Sequence, residues 1–464
     1  MSNEIPNNVN LESDQQLRRA LAGWHPHYLE WWREVGPEGF DASRVYLRTA
    51  ISVSAEGWAN YGYVRMQDYR WGIFLAPEVM DRRIGFGDHY GEPVWQQVPG
   101  DHRKELRRII VTQADTEPAS VEQNRLLGKT APSLYDLRNI FQLNCEEGRH
   151  LWAMVYLLHR YFGRDGREEA DELLYRRSGN PDHPRILNAF NAPVRDWLDY
   201  FCFSMFSDRD GKYQLAALAE SAFDPLSRTT RFMLTEEAFH MFVGESGIQR
   251  IAARTADVML QKDRDDLFEL GVIPLGVLQK YINYWYTEAL DLFGGEDSSN
   301  AATYFAAGLK GRFQEDDYPE HLALDQTYEL RKPDGSIEKI PMRRAMNAVL
   351  RDAYVEDCHR GLRRWNRELE HRKIDARLYL PAVCFNRKVG AFAGLPCDPW
   401  GKILRREEFE RRRSEWLPTE EDRARVAAVM KPVYEPGRIA NWIAPPAKGI
   451  GGKPGLEFEY VQFN

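Results

Sequence analysis

Two Glu-x-x-His pairs lie about ninety residues apart, Glu147 with His150 and Glu237 with His240, each inside a strongly apolar stretch. Residues three apart on a helix share a face, so each pair presents a carboxylate beside an imidazole. A further acid precedes each pair at nearly the same distance: Glu117 lies 30 residues before Glu147, and Asp208 lies 29 before Glu237. Two helical hairpins, each giving one acid plus one Glu-x-x-His, make up the ligand set of a di-iron or di-manganese carboxylate site in a four-helix bundle. Six protein ligands for two metals leave positions open for dioxygen. The spacing predicts a metal enzyme.

Glu-x-x-His by itself is a cheap pattern, and with 11 histidines in an acid-rich chain about one occurrence is expected at random. Four are present, the others being Glu356 with His359 and Glu368 with His371. Context separates them. Leu143, Met154 and Leu157 share the face of the first motif, and the second sits between Phe232-Met233-Leu234 and Met241-Phe242-Val243. A carboxylate and an imidazole buried in such stripes need a partner, because an unpaired buried charge costs several kcal/mol or neutralises. The later two pairs fall in Arg351 to Lys373, where nearly every other residue is charged, and they read as a solvated helix face.

Asp208 continues the stripe Trp197, Phe201, Ser204, whereas Asp210 points elsewhere and, before Gly211, reads as a cap or turn. Glu117 shares a face with Ile110, Gln113 and Ala114, but Pro118 follows it, so either the helix kinks there or Glu117 lies near a helix end. A surface carboxylate is the alternative for both acids. Gln113, one turn before Glu117, is a candidate to hydrogen-bond a metal ligand or bound oxygen, with a plain structural amide as the alternative.

The elements that must carry these residues are helical. Residues 103 to 128, 134 to 162, 190 to 220 and 226 to 256 supply four metal-bearing helices, and charged residues Gly163 to Pro184 read as the long crossover between two hairpins. An aromatic helix is expected over 12 to 36, a second over Arg44 to Arg70, and an apolar one over Leu275 to Phe293. Asp325 to Pro341 reads as a small β-hairpin around Pro333-Asp334-Gly335. After about residue 375 helical periodicity fades, and Pro445 to Gly455 is tail-like. The expected fold is all-α: a ferritin-like four-helix bundle with extra helices, a small β-hairpin and an extended C-terminal segment, residues 1–464 forming one domain.

The 464 residues, 43% hydrophobic and 12% aromatic, suffice for a large core. A net charge of −8 argues against a nucleic-acid binder. No run of about 20 apolar residues suggests a membrane span. The start, Met1-Ser2-Asn3-Glu4-Ile5-Pro6, lacks the regions of a signal peptide, so a cytoplasmic protein is expected. The 5 cysteines are widely spaced without Cys-x-x-Cys, which indicates neither a disulfide framework nor an iron–sulfur site.

The stretches Gln142 to Met154 and Leu234 to Val243, together with Thr116 to Glu122 and Val45 to Trp71, resemble the oxygenase components of benzoyl-CoA 2,3-epoxidases. The resemblance covers essentially the whole chain. It implies a di-iron enzyme that epoxidises the ring of benzoyl-CoA with dioxygen in aerobic benzoate breakdown. It also implies electrons from NADPH through a separate reductase carrying flavin and iron–sulfur clusters. This chain itself has neither a Gly-x-Gly-x-x-Gly fingerprint nor cysteine clusters. By the resemblance the metal positions fall on Glu117, Glu147, His150, Asp208, Glu237 and His240. Aspartate at 208 departs from the all-glutamate pattern commoner in the wider superfamily and shortens one arm. Glu147 and Glu237 are placed between the irons, with His150 on one, His240 on the other, and Glu117 and Asp208 terminal.

Rival readings fit less well. The radical tyrosine of a ribonucleotide-reductase small subunit, typically four residues after the first motif histidine, would fall on Met154, and a ferritin-like iron store would be far shorter. A related epoxidase acting on phenylacetyl-CoA and a non-catalytic di-metal acyl-CoA-binding scaffold stay open. The CoA phosphates call for local basic residues. Arg360, Arg363, Arg364 and Arg367, and then Arg405, Arg406, Arg411, Arg412 and Arg413, are the densest clusters, but acidic neighbours make both read better as solvated charge runs. No substrate-binding residue is assigned, although Arg363 and Arg364 are the pair to test.

Overall fold

The computed structural model describes residues 5–39, 45–261, 267–318 and 326–448. Long helices dominate it. The first arm of the bundle is broken in two, α2 (Arg103–Ala114) and α3 (Thr116–Gln123); the other arms are α4 (Leu134–Tyr175), α5 (Trp197–Ala219) and α6 (Asp224–Gln261). Ser133 caps α4 by accepting from Asp136 N, and Asp196 caps α5 by accepting from Leu198 N and Asp199 N. These side chains satisfy amide groups that a helix start leaves unpaired.

The α2–α3 break has a local cause. Pro118 has no N–H to give the carbonyl of Ala114 four residues back, and its ring crowds that position. The chain therefore kinks at Asp115, whose carboxylate accepts from Arg185 Nη1 at 3.1 Å and from Ile186 N at 2.6 Å. Glu117 emerges in the first turn beyond the kink and is buried.

Helix α4 is buried on every side from Leu134 to His159, as an inner helix must be. One flank is covered by α1 (Gln15–Val35), whose Trp24 and Tyr28 rings stand 4.8 and 5.5 Å from Trp152. On the far side α7 (Leu275–Leu292) covers α5, with Trp285 edge-on to Phe203 at 5.5 Å. No helix of the described residues is long and apolar enough to cross a membrane.

Four expectations need correction. Residues Arg44 to Arg70 do not form a helix: β1 (Tyr46–Val53) and β2 (Ala59–Arg65) pair antiparallel, from Tyr46 opposite Arg65 to Val53 opposite Ala59. The alternating β-branched residues Thr49, Ile51 and Val53, the tyrosines of β2 and a turn with Gly57 at φ 91° favour strands over the spacing that suggested a helix. The crossover does not begin at Gly163. That glycine takes non-helical angles (φ 60°, ψ −129°), but the helix resumes to Tyr175 because Ala170, Leu173 and Leu174 bury a stripe, and the connection is residues 176–196. The region beyond 375 is not wholly irregular: α8 (Ser299–Ala306) and α9 (Met346–His371) are followed there by α10 (Arg406–Trp416) and α11 (Glu420–Val429). Their charge density hid them; α10 buries only Phe409 and Trp416. Finally, Gly211 lies inside α5, so Asp210 is neither cap nor turn.

Strands β3 (Thr327–Arg331) and β4 (Ile337–Pro341) form the expected hairpin. The C-terminal segment returns onto the bundle as expected: Val433 N and Ala440 N donate to Ala131 O and Pro132 O at 2.9 and 2.8 Å, and Ala444 N donates to Arg250 O at 3.1 Å. The tail-like stretch beyond 448 lies outside the described residues.

Helices α5 and α6 meet backbone against backbone at Gly244, where an added Cβ would stand 2.2 Å from Met205 N and 2.6 Å from Ser204 C. Gly244 lies one turn beyond His240 on the same face, so backbone contact here sets the distance between two site-bearing helices. Gly244→Ala is expected to cost about 1–3 kcal/mol through overpacking and to lower both the melting temperature and the iron content. An unchanged melting temperature would contradict this packing.

Candidate metal centre

Each histidine is held from the opposite hairpin. His150 on α4 has its Nε2 3.1 Å from Glu236 Oε2 on α6, and His240 on α6 has its Nε2 3.2 Å from Glu146 Oε2 on α4. Both second carboxylates are themselves fixed by arginine. Arg149 Nε donates to Glu236 at 3.1 Å; Arg48 Nε, brought in by β1, donates to Glu146 Oε1 at 2.7 Å, where Gln142 also donates at 2.8 Å. Burial alone would raise the Glu146 carboxyl; the Arg48 charge and the hydrogen bond with His240 override it and hold it well below the usual carboxylate range.

With Nε2 so engaged, the two Nδ1 atoms face one shared space. His150 Nδ1 lies 3.4 Å from Glu117 Oε2, 3.5 Å from Glu147 Oε2 and 3.6 Å from Glu237 Oε1. His240 Nδ1 lies 3.5 Å from Glu147 Oε1 and 3.5 Å from Glu237 Oε2. Glu147 and Glu237 thus each turn one oxygen toward either imidazole. The trios Glu117–Glu147–His150 and Glu147–Glu237–His240 bring their ligand atoms within 4.8 Å of one another.

Asp208 joins neither trio. It is buried in the wall beside Glu237 and His240, near Ser204, one methylene short of the reach a glutamate would have. Gln113 Nε2 and Thr116 Oγ1 both donate to Glu117 Oε1, at 3.1 and 3.2 Å, so Gln113 orients that carboxylate. Asp210 is turned away from the histidines and accepts from Gln214 at 2.9 Å. On α9, Glu356, His359 and His371 are exposed and Glu368 half-buried, the solvated face that their surroundings suggested.

The electrostatics of this cluster are unbalanced. Burial pushes the Glu147 carboxyl well above its ordinary range, and the charges of Glu117 and Glu237 add to this; burial and then the charge of Glu237 do the same to Asp208. The His240 imidazole sits at about 10, because Glu237 and Glu146 override the effect of burial. His150 Nδ1, His240 Nδ1, Glu237 Oε2 and Asp208 Oδ2 are buried without a hydrogen-bond partner. Fully ionised, the four carboxylates would carry four negative charges, which two divalent cations would balance while taking up these lone pairs. Hard oxygen donors with imidazole suit iron or manganese.

Over residues 93–269 the chain matches the family described as phenylacetic acid catabolic protein. Over 470 aligned residues it is 55% identical to benzoyl-CoA oxygenase component B of Aromatoleum evansii, with 100% of this chain and 99% of that protein covered. The chain belongs to this family of ferritin-like oxygenases. All six acids and histidines picked out by spacing fall within the segment that matches the family.

The sequence reading passed over Glu146, Glu236, Arg149 and Arg48. A signal was present: both motifs are Glu-Glu-x-x-His, with the extra acid directly before the first ligand position. Arg48 lay in the segment read as a helix.

Glu146→Gln and Glu236→Gln should each weaken ferrous binding by about 10–100-fold, the effect of losing a partner that orients a histidine ligand. Asp208→Ala should lower iron content where Asp210→Ala does not, and His359→Ala and His371→Ala should leave it intact. Anaerobic ferrous titration followed by elemental analysis reads all of these, and full iron content in both glutamine variants would contradict the pairing.

Proposed function

We propose that the chain is the oxygenase component of an aryl-CoA monooxygenase, holding two irons and epoxidising the ring of benzoyl-CoA. The observation that carries the reading is the pair of buried trios sharing Glu147, set against a cavity of about 360 Å³. Glu117, Glu147 and His150 would hold one iron and Glu147, Glu237 and His240 the other, with Asp208 beside the second. A bound iron pair supplies dioxygen with electrons.

The protein supplies the rest. Gln113 and Thr116 line the cavity and also donate to Glu117, so the space for the ring abuts the centre. Leu187, Phe190 and Leu218 give that space an apolar wall suited to an aromatic ring. Water is kept from the centre by the apolar packing around α4 and α5. Arg108 is exposed at the cavity with no ion-pair or hydrogen-bond partner among the described residues, and the Lys310 ammonium also lines it. Arg108 would meet the CoA phosphates against the repulsion of a protein of net charge −8, whereas Lys310 already donates to Gln214 Oε1 at 2.5 Å and is pushed down to about 8 by burial. Of the basic clusters noted earlier, Arg360 pairs with Asp357 and Arg364 with Glu245, and none of the nine arginines lines this cavity.

The relative's name, a benzoyl-CoA oxygenase component, supports both the substrate and the need for a second component. A separate NADPH-dependent reductase with flavin and iron–sulfur clusters would deliver the electrons in the cytoplasm, and the whole chain would act as one domain. The description of the family as phenylacetic acid catabolic keeps phenylacetyl-CoA as the second substrate to test.

The test is turnover of a panel of acyl-CoA thioesters with the reductase under labelled dioxygen. Benzoyl-CoA should give a product carrying one labelled oxygen. Preference for phenylacetyl-CoA would move the substrate, and no thioester-dependent oxygen use would favour a binding scaffold. Arg108→Ala should raise KM about five-fold, the effect of roughly 1 kcal/mol from one exposed charge, with iron content unchanged. A rise in KM on the double change Arg363→Ala with Arg364→Ala, and not at Arg108, would place the phosphates on α9.

A further inference from the structure

Outside the candidate metal centre, two of the five cysteines stand in contact: Cys397 Sγ is 3.3 Å from Cys384 Sγ, the thiol of Cys397 donating to Cys384. The chain around them is pinned on both sides. Ala382 N donates to Pro399 O at 2.7 Å and Leu404 N to Pro396 O at 2.8 Å, so the two sulfurs are held together by backbone pairing. Cys397 is buried, whereas Cys384 is half-buried and faces a cavity of about 590 Å³ between the β3–β4 hairpin and the 392–403 loop. One thiol is reachable, and the other is its neighbour.

We propose that Cys384 and Cys397 are an oxidisable dithiol, in which Cys384 is attacked by hydrogen peroxide and Cys397 closes the disulfide. In the first step the Cys384 thiolate sulfur bonds to one peroxide oxygen. The O–O bond breaks, a sulfenic acid forms, and the released hydroxide takes a proton from solvent to become water. In the second step Cys397 Sγ bonds to the Cys384 sulfur. The S–O bond breaks, and the departing hydroxide leaves as water with the Cys397 proton. Two thiols lose two electrons, and one peroxide gains them.

The chemistry of the neighbours supports this order. The hydrogen bond from Cys397 brings the Cys384 thiol down to about 7, against the effect of burial, so that much of it is thiolate near neutrality. Burial instead pushes up Cys145, Cys202 and Cys358, the last to about 12, which leaves them poor nucleophiles. The closed disulfide would fasten a loop that already grips the end of α7: Arg387, fully buried, donates to Asp291 Oδ1 at 2.6 Å and to Leu290 O at 3.2 Å.

The test needs no variant to begin. The full-length protein is exposed to a small excess of hydrogen peroxide, denatured in alkylating reagent and mapped by peptide mass. The expected result is a fall from five alkylated cysteines to three, with peptides of Cys384 and Cys397 joined and two hydrogens lighter, and return to five with dithiothreitol. Cys397→Ser should then leave Cys384 as a sulfenic acid that dimedone traps, while Cys384→Ser should leave Cys397 unmodified. Oxidation of Cys145, Cys202 or Cys358 before the pair, sulfinic acid at Cys384 with Cys397 still alkylated, or no change at the pair would overturn the proposal.

Discussion

Four carboxylates drawn into the dry interior of a helical bundle repel one another, and every element near the centre answers to that repulsion. Glu117, Glu147, Asp208 and Glu237 are buried, and the two imidazoles among them offer their unpaired Nδ1 atoms to the same space. Without cations, burial and mutual repulsion raise the Glu147 and Asp208 carboxyls, and neighbouring Glu237 and Glu146 raise the His240 imidazole, so the cluster favours holding protons. Two divalent metals would replace those protons and satisfy the lone pairs together.

The crossed pairs Glu236 with His150 and Glu146 with His240 make the orientation unambiguous. Each engages Nε2 from the opposite hairpin, so Nδ1 must face inward, and each hairpin fixes the other's ligand. The arginines then compensate Glu146 and Glu236. The β1–β2 hairpin has its place in this scheme: Arg48 N on it donates to Gln142 Oε1 at 2.8 Å and Arg48 O accepts from Gln142 Nε2 at 2.9 Å, locking the strand onto α4 where Glu146 projects. The close contact at Gly244 seats α6 on α5 within the second hairpin, and so sets how His240 stands to the wall that carries Asp208.

The ligand-bearing helices could be read from the chain because buried acids inside apolar helical stripes are rare and expensive. Glu147, His150, Glu237 and His240 stood out on that ground, and solvated charge marked Glu356–His359 and Glu368–His371 as different. Glu117 was legible only as an alternative between a kink and a helix end; Pro118 gives the break locally, but the partner that receives Asp115 at the kink, Arg185, lies seventy residues away in sequence, where local pattern does not reach. Glu146 and Glu236 were passed over because an acid beside an acid looks like surface until the facing helix is in place. The β1–β2 hairpin was misread because its apolar and aromatic spacing fits either period. The helices α10 and α11 hid because short helices that bury few residues carry little periodic signal.

The central claim is that this buried charge is balanced by two divalent cations rather than by protons alone. Anaerobic titration of metal-free protein with ferrous ion, with proton release counted by calorimetry in buffers of different ionisation enthalpy, tests it most directly. Saturation at about two equivalents per chain, with net release of protons, is the expected result. Saturation at one equivalent, or binding without proton release, would contradict it.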